Sequence, residues 1–284
     1  MTWENEEPSN RNASRTALGT AYLRAAHQLL DAPPRILEDP IAVPLLGPAA
    51  LRRIEDSAES YRSPERRALR AHVVLRSRFA EDRLAAAVRR GATQYIVLGA
   101  GLDTFALRQP PWAQALRILE VDHGATQAEK RARLAAAGLA LPKNAYFAAI
   151  DLERESLLGG LLRHRVSVDE PTFFSWLGVT MYLKEDAIDA VLSSIAAFPG
   201  GSEMVLTFAL PPGDAPSPFD SRAASLGEPW ESRFEPEELE AKLRGAGFSD
   251  VEFLFPEKAE ALYFLHRPRD LPIPTRTDIV SAAL

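Results

Sequence analysis

From Gln94 to Leu210 the chain alternates short apolar runs with amphipathic segments, and this rhythm limits the fold more than any other feature. Gln94–Leu98, Leu116–Val121, Tyr146–Ile150, Thr172–Trp176 and Glu203–Leu210 read as strands. Helical patterns over Thr126–Ala137, Glu153–Leu162 and Glu185–Phe198 separate the later ones. Strands spaced by helices predict a parallel, doubly wound α/β sheet covered on both faces. A proline-started helix follows from Glu235 to Gly245 or Gly247. Two last runs, Val251–Phe255 and Leu262–Leu265, have no helix between them and predict an antiparallel pair at the sheet edge, for seven strands in all.

Before this rhythm the chain reads as helical. Ser14–Leu30 is stopped by Asp31-Ala32-Pro33-Pro34, and a long pattern runs from Pro64 to Arg90. Val74, Phe79, Leu84 and Val88 mark its buried side, and six arginines between Arg66 and Arg83 its wet or ligand side. Residues 1–90 are therefore expected to form a helical cap on the same domain, and 91–284 the ligand-binding α/β domain. Residues 211–234 lack periodicity and are rich in proline, as a lid or substrate loop would be.

The totals exclude several functions. A net charge of -6 does not suit a protein that tracks a nucleic-acid backbone. No apolar stretch is long enough to cross a bilayer. The opening MTWENEEPSNRN is the reverse of a secretory leader. The absence of cysteine removes disulfides, thiolate metal sites and cysteine nucleophiles, and fits a cytoplasmic enzyme.

The chemistry is expected at the strand ends. In open α/β sheets ligands sit beyond the carboxyl ends of the strands, at the point where strand order reverses. The first strand runs into Gly99-Ala100-Gly101, which allows close backbone approach. The sixth position of a dinucleotide fingerprint would be glycine or alanine but is Thr104, and Asp103 would face any pyrophosphate. No Gly-Lys-Ser/Thr follows, so the segment is not a P-loop. Asp122 closes the second strand, with Glu120 before it, at about the twenty-residue spacing from which a carboxylate bonds ribose hydroxyls. Asp151 ends the third strand, where it can accept from an adenine amine while the N–H of Leu152 donates to the ring. Singly, each acid reads almost as well as a helix cap. Together they describe a nucleoside without phosphate, as in S-adenosyl-L-methionine (SAM).

The segments SRTALGTAYLRAAH, LEDPIA, RSRFAEDRL, QYIVLGAGLDTFALR, LEVDHGATQAEKR, AIDLERESL, FFSWLGVTMYL and GEPWESRFEPEEL span nearly the whole chain. In these the chain resembles the leucine carboxyl methyltransferase family, and most closely its bacterial branch of SAM-dependent methyltransferases. The resemblance implies a Rossmann-like class I methyltransferase fold with SAM as cofactor. It implies that Asp122, with His123 beside it, holds the ribose, that Asp151 and Leu152 hold the adenine, and that Gly99, Ala100 and Gly101 underlie the methionine. A basic residue before the first strand pairs with the methionine carboxylate in the family; Arg78 is the first choice here and Arg76 its competitor. The branch commonly reads FFSWEGVTMYL, whereas this chain has Leu177 in place of the acid. It also has Phe105 where arginine is frequent.

The expected activity is O-methylation of a carboxylate or hydroxyl on a small-molecule acceptor. Tyr22, Trp176, Tyr182, Glu228, Trp230 and Arg233 are candidates for the acceptor side. A carboxylate acceptor needs no base, and none of the five histidines stands out from the sequence as one. Two other readings remain open at this point: a SAM-binding protein with weak or lost transfer, to which Leu177 points, and an NAD(P)-dependent oxidoreductase.

Overall fold

A computed structural model of the chain describes residues 13–212 and 218–284. The acidic opening segment and part of the 211–234 loop lie outside them. Five helices come first: α1 (Arg15–Leu30), α2 (Ala42–Leu46), α3 (Pro48–Asp56), α4 (Ala58–Tyr61) and α5 (Pro64–Arg89). Ser14 caps α1 by accepting from the Ala17 N–H at 3.0 Å. Pro64 opens α5 at the first turn, where a missing N–H costs nothing. On α5, Val74, Phe79 and Leu84 are buried and Val88 partly so, as its pattern predicts.

The sheet consists of β1 (Gln94–Leu98), β2 (Arg117–Asp122), β3 (Ala145–Ala149), β4 (Thr172–Trp176), β5 (Glu203–Thr207), β6 (Asp250–Phe253) and β7 (Ile279–Ala283). Their spatial order is β3-β2-β1-β4-β5-β7-β6. The first five are parallel, with Val97 beside Glu120 on one flank and Ser175 on the other. β1 and β4 are central and wholly buried, which is why they read as near-continuous apolar runs. Helices α6 (Gly124–Ala136), α7 (Leu157–Arg163), α8 (Glu185–Ile195), α9 (Pro218–Ser225) and α10 (Pro236–Gly245) accompany the strands, and a short α11 (Pro256–Ala259) precedes the last one. The direction of strand addition reverses between β1 and β4, so the sheet's ligand crevice opens above these two strands.

One expectation is corrected. Leu262–Leu265 is not a strand: it continues α11 as one π-helical turn and its cap, with Leu262 and Leu265 exposed. Pro256 starts that helix, and Tyr263 ties it to α5 by donating to Asp82 at 3.0 Å. The seventh strand is instead Ile279–Ala283, which inserts between β5 and β6 and is antiparallel to both. Its Ser281-Ala282-Ala283 half carries little β propensity, so the sequence hides it. The turn after β1 is short. No α-helix starts there; residues 105–107 make one 3-10 turn.

The helices in front of the sheet are held by buried ion pairs. Arg70 on α5 donates to both oxygens of Asp31 at 2.7 Å and to the Tyr61 carbonyl at 2.8 Å. His27 shares Asp31 at 2.7 Å. Burial works against the charge on Asp31, but hydrogen bonds from His27 and Arg70 outweigh it and hold the carboxyl below its ordinary range. A depressed carboxyl contributes stability above its unfolded pKa of about 4 and loses it as pH falls through the folded value. Asp31→Asn is thus expected to cost about 3–5 kcal/mol at pH 7. The gap from wild type should narrow below about pH 4, as urea titrations at both pH values will show.

Candidate cofactor and acceptor site

A cavity of about 1240 Å3 opens at the carboxyl ends of β1, β2 and β4. Drug-sized ligands occupy pockets of roughly 300–1000 Å3, so this one has room for a cofactor and a second molecule. Its floor is Gly99-Ala100-Gly101, with Asp122 and His123 on one side and Leu177-Gly178-Val179 on the other. Gly99 has a φ of +65°, and a Cβ there would lie 2.2 Å from the Val179 side chain. Both the backbone conformation and the packing therefore require glycine at that point.

Asp122 is positioned by its own carboxylate. Its Oδ2 accepts from Gly101 N at 2.6 Å and its Oδ1 from His123 N at 2.7 Å. These bonds tie the tips of β1 and β2 together and leave further lone pairs on both oxygens. Burial nevertheless pushes the carboxyl above its usual value. Asp122 does not cap α6; His123 does, its Nδ1 accepting from Ala125 N at 3.3 Å. Behind Asp122, buried Glu120 pairs with Lys130 of α6, so the neighbouring acid is already partnered. Asp151 does not cap α7 either; Ser156 does. Its Oδ1 holds the turn by accepting from Glu153 N at 3.0 Å. Asp151 and partly buried Leu152 lie beyond the cavity wall, although β3 is the neighbour of β2 and Glu153 reaches the cavity.

Of the two candidate arginines, both on α5, the structure brings Arg76 and not Arg78 to the cavity. Arg78 is exposed and bonded to Asp82, one turn along the same helix, at 3.0 Å. The reason is rotational. Residues two apart on a helix point about 200° apart, so only one of the pair can face inward. Arg76 lies against the backbone of Gly178, where a Cβ would come within 2.5 Å of its guanidinium. Burial lowers its pKa to about 10, against the pull of Tyr182 and Asp278, so it remains a cation at neutral pH. Among the described residues no carboxylate forms an ion pair with it. A half-buried cation that faces a cavity without a partner suits a carboxylate ligand.

Asp103 does not stand as a bare charge at the turn. Arg24 of α1 donates to it at 3.2 Å and also binds Asp39 and Thr104. The case against a pyrophosphate therefore rests less on repulsion than on the missing helix N-terminus after Gly101.

The six acceptor-side candidates separate. Tyr182, Glu228 and Trp230 line the cavity, and Tyr22, Trp176 and Arg233 do not. Tyr22 and Trp176 are core residues, at 1% and 0% exposure. Arg233 pairs with Asp220 and stacks on Trp230 at 5.6 Å. Glu228 has a definite job, since it accepts from Arg15 N at 2.6 Å, from Ser14 Oγ at 3.1 Å and from the Thr16 hydroxyl. A carboxylate at a helix N-terminus satisfies orphan donors and complements the dipole, so Glu228 latches the stretch that follows α9 to α1. Glu228→Ala should cost about 1–2 kcal/mol, read as a lower urea midpoint, with Glu228→Gln in between. Leu177 lines the cavity with an apolar side chain that packs against the core. His72 and Asp278, which sequence reasoning passed over, also line it.

The model of the family described as leucine carboxyl methyltransferase matches residues 17–196. "Putative S-adenosyl-L-methionine-dependent methyltransferase YktD" of Bacillus subtilis (strain 168) is 34% identical over 189 residues, covering 64% of this chain and 62% of that one. The chain thus spans somewhat less than two thirds of that relative's length. A similarly named protein of Frankia alni, FRAAL3718, is 29% identical over 279 residues, 95% of this chain and 92% of its own. Among solved structures, a "duf574 family protein" of Streptomyces avermitilis shares the fold at a TM-score of 0.56 and 14% identity, over 97% of this chain and 98% of that one. A "putative methyltransferase" of Thermobifida fusca does so at 0.52 and 20%, over 84% and 90%. With the sheet order and the glycine turn beneath the cavity, these matches place the fold as Rossmann-like, and the chain belongs to the leucine carboxyl methyltransferase family.

Proposed function

We propose that the chain is a SAM-dependent O-methyltransferase acting on a carboxylate or hydroxyl of a small-molecule acceptor. One observation carries the reading. The same cavity presents a glycine floor, a ribose-ready carboxylate at Asp122 and, at Arg76, a cation without an ion-pair partner among the described residues, and no α-helix starts after Gly101 to meet a phosphate. In this reading Asp122 accepts from the ribose hydroxyls and Gly99-Ala100-Gly101 lies under the methionine. Arg76 grips its carboxylate, and the adenine extends past the cavity wall near Glu153 toward Leu152 and Asp151. When bound, SAM supplies a methyl group on an electrophilic sulfonium. The protein's part is to align the acceptor oxygen with that methyl and to keep water out.

The N-terminal helices and residues 223–234 provide the cover. Glu228 fastens one to the other, and Glu231 N donates to the Met181 carbonyl at 2.7 Å, which closes the segment over β4. Tyr182 is kept neutral, since burial raises its pKa. Isothermal calorimetry with SAM, S-adenosylhomocysteine and NAD tests the cofactor. The first two are expected to bind and NAD to give no heat. Binding of NAD in preference to S-adenosylhomocysteine would overturn the reading.

A further inference from the structure

At the end of the cavity away from Asp122, His72 on α5 faces Asp278, the residue before β7, with Nδ1 3.5 Å from Oδ1. Both side chains are 22% exposed and both line the cavity. The two residues are 206 positions apart, and the fold brings them together over the ends of β4 and β5. Phe208 N, just past β5, donates to the Asp278 carbonyl at 3.1 Å. Gly178 N, just past β4, donates to Thr207 Oγ1 at 2.7 Å. Arg76, one helical turn beyond His72, rests on that same Gly178. The pair therefore lies next to the residue assigned to the methionine carboxylate, on the side away from the ribose.

We propose that His72 is the general base of the reaction, that Asp278 orients it, and that the acceptor is a neutral hydroxyl compound rather than a carboxylate. This deepens the proposed function and rests on it. An Nδ1–H donated toward Asp278 leaves the Nε2 lone pair for the acceptor. As the acceptor oxygen takes the methyl group, the C–O bond forms and the C–S bond to the cofactor breaks. The hydroxyl proton passes to Nε2, and the imidazolium later releases it to water. The charged groups bearing on His72 are Asp278 from the β7 side and Arg76 on its own helix. Burial lowers the His72 pKa against the opposing pull of Asp278, so the ring is neutral and can accept a proton. Asp278 would repel a carboxylate acceptor at this point, with Arg76 already engaged by the cofactor. The other histidines are spent or remote: His27 on Asp31, His123 as a helix cap, and His164 and His266 outside the cavity.

The test has two arms. In the S-adenosylhomocysteine complex, 15N NMR of the histidines, with His72 assigned through His72→Asn, is expected to show a neutral Nδ1–H ring at pH 7. Asp278→Asn should abolish that tautomer preference. In parallel, wild type is incubated with SAM and matched probes: catechol, 2-phenylethanol, phenylacetate and 4-nitrophenol. Release of S-adenosylhomocysteine is expected with the alcohols and phenols and not with phenylacetate. His72→Asn should lower kcat on catechol by about 100- to 1000-fold. It should leave the Kd for S-adenosylhomocysteine unchanged and have much less effect on 4-nitrophenol, whose hydroxyl ionises unaided. A protonated or Nε2–H ring at pH 7, turnover of phenylacetate alone, or no turnover of any probe overturns the proposal. Failure of wild type to bind S-adenosylhomocysteine would instead sink the function on which it rests.

Discussion

Asp122→Ala is expected to weaken S-adenosylhomocysteine binding by about 100-fold, the equivalent of roughly 3 kcal/mol for two charge-assisted bonds to ribose hydroxyls. The carboxylate already accepts from Gly101 and His123, and those bonds aim its free lone pairs into the cavity. Asp122→Asn keeps the size but loses the charge and one acceptor, so it should fall between wild type and alanine. Both variants must retain a cooperative unfolding transition without ligand, which separates loss of contact from loss of the β1–β2 junction. The affinity should also depend on pH. Because burial raises the Asp122 pKa, the carboxyl takes up a proton at a higher pH than a free aspartate. Binding should weaken as pH falls through that raised value, and the alanine variant should lack this dependence.

Arg76→Leu should have a comparable effect through a different part of the cofactor. A partly buried guanidinium–carboxylate pair that loses one partner costs about 2–4 kcal/mol, or 30- to 1000-fold in Kd. The loss should appear with S-adenosylhomocysteine and vanish with 5′-methylthioadenosine, which has the nucleoside but no amino-acid carboxylate. Arg78→Ala, whose guanidinium is bonded to Asp82 outside the cavity, should bind both ligands as wild type does. Stability gives a second readout. Arg76 is a half-buried cation without an ion-pair partner among the described residues, so its replacement by leucine should leave the ligand-free protein as stable or more so. A large destabilisation would mean that Arg76 holds the fold and not the cofactor.

The sequence is legible where structure is local. Each parallel strand is a short buried run followed by a turn, so Gly99, Asp122 and Asp151 can be placed at strand ends by counting. Legibility fails where geometry is not local. Arginine recurs so often on α5 that polar and apolar faces blur, and sequence alone does not say which of Arg76 and Arg78 points inward. Pattern favoured the run Leu262–Leu265 over Ile279–Ala283, because alanine and serine become a strand only when two neighbours already flank them. His72 and Asp278 meet only after β7 inserts beside β5, so no spacing rule connects them. Glu228 was visible as part of a motif, but its role depends on the three donors at the start of α1.

The central claim is that one nucleoside with an amino-acid tail spans the cavity from β2 to α5. A crystal structure of the chain with S-adenosylhomocysteine tests it most directly. The account predicts electron density with the ribose hydroxyls on Asp122 and the carboxylate on Arg76, and with the sulfur pointing toward the end of the cavity that holds His72. Density for the ligand elsewhere, or with its carboxylate away from Arg76 and its ribose away from Asp122, would contradict it.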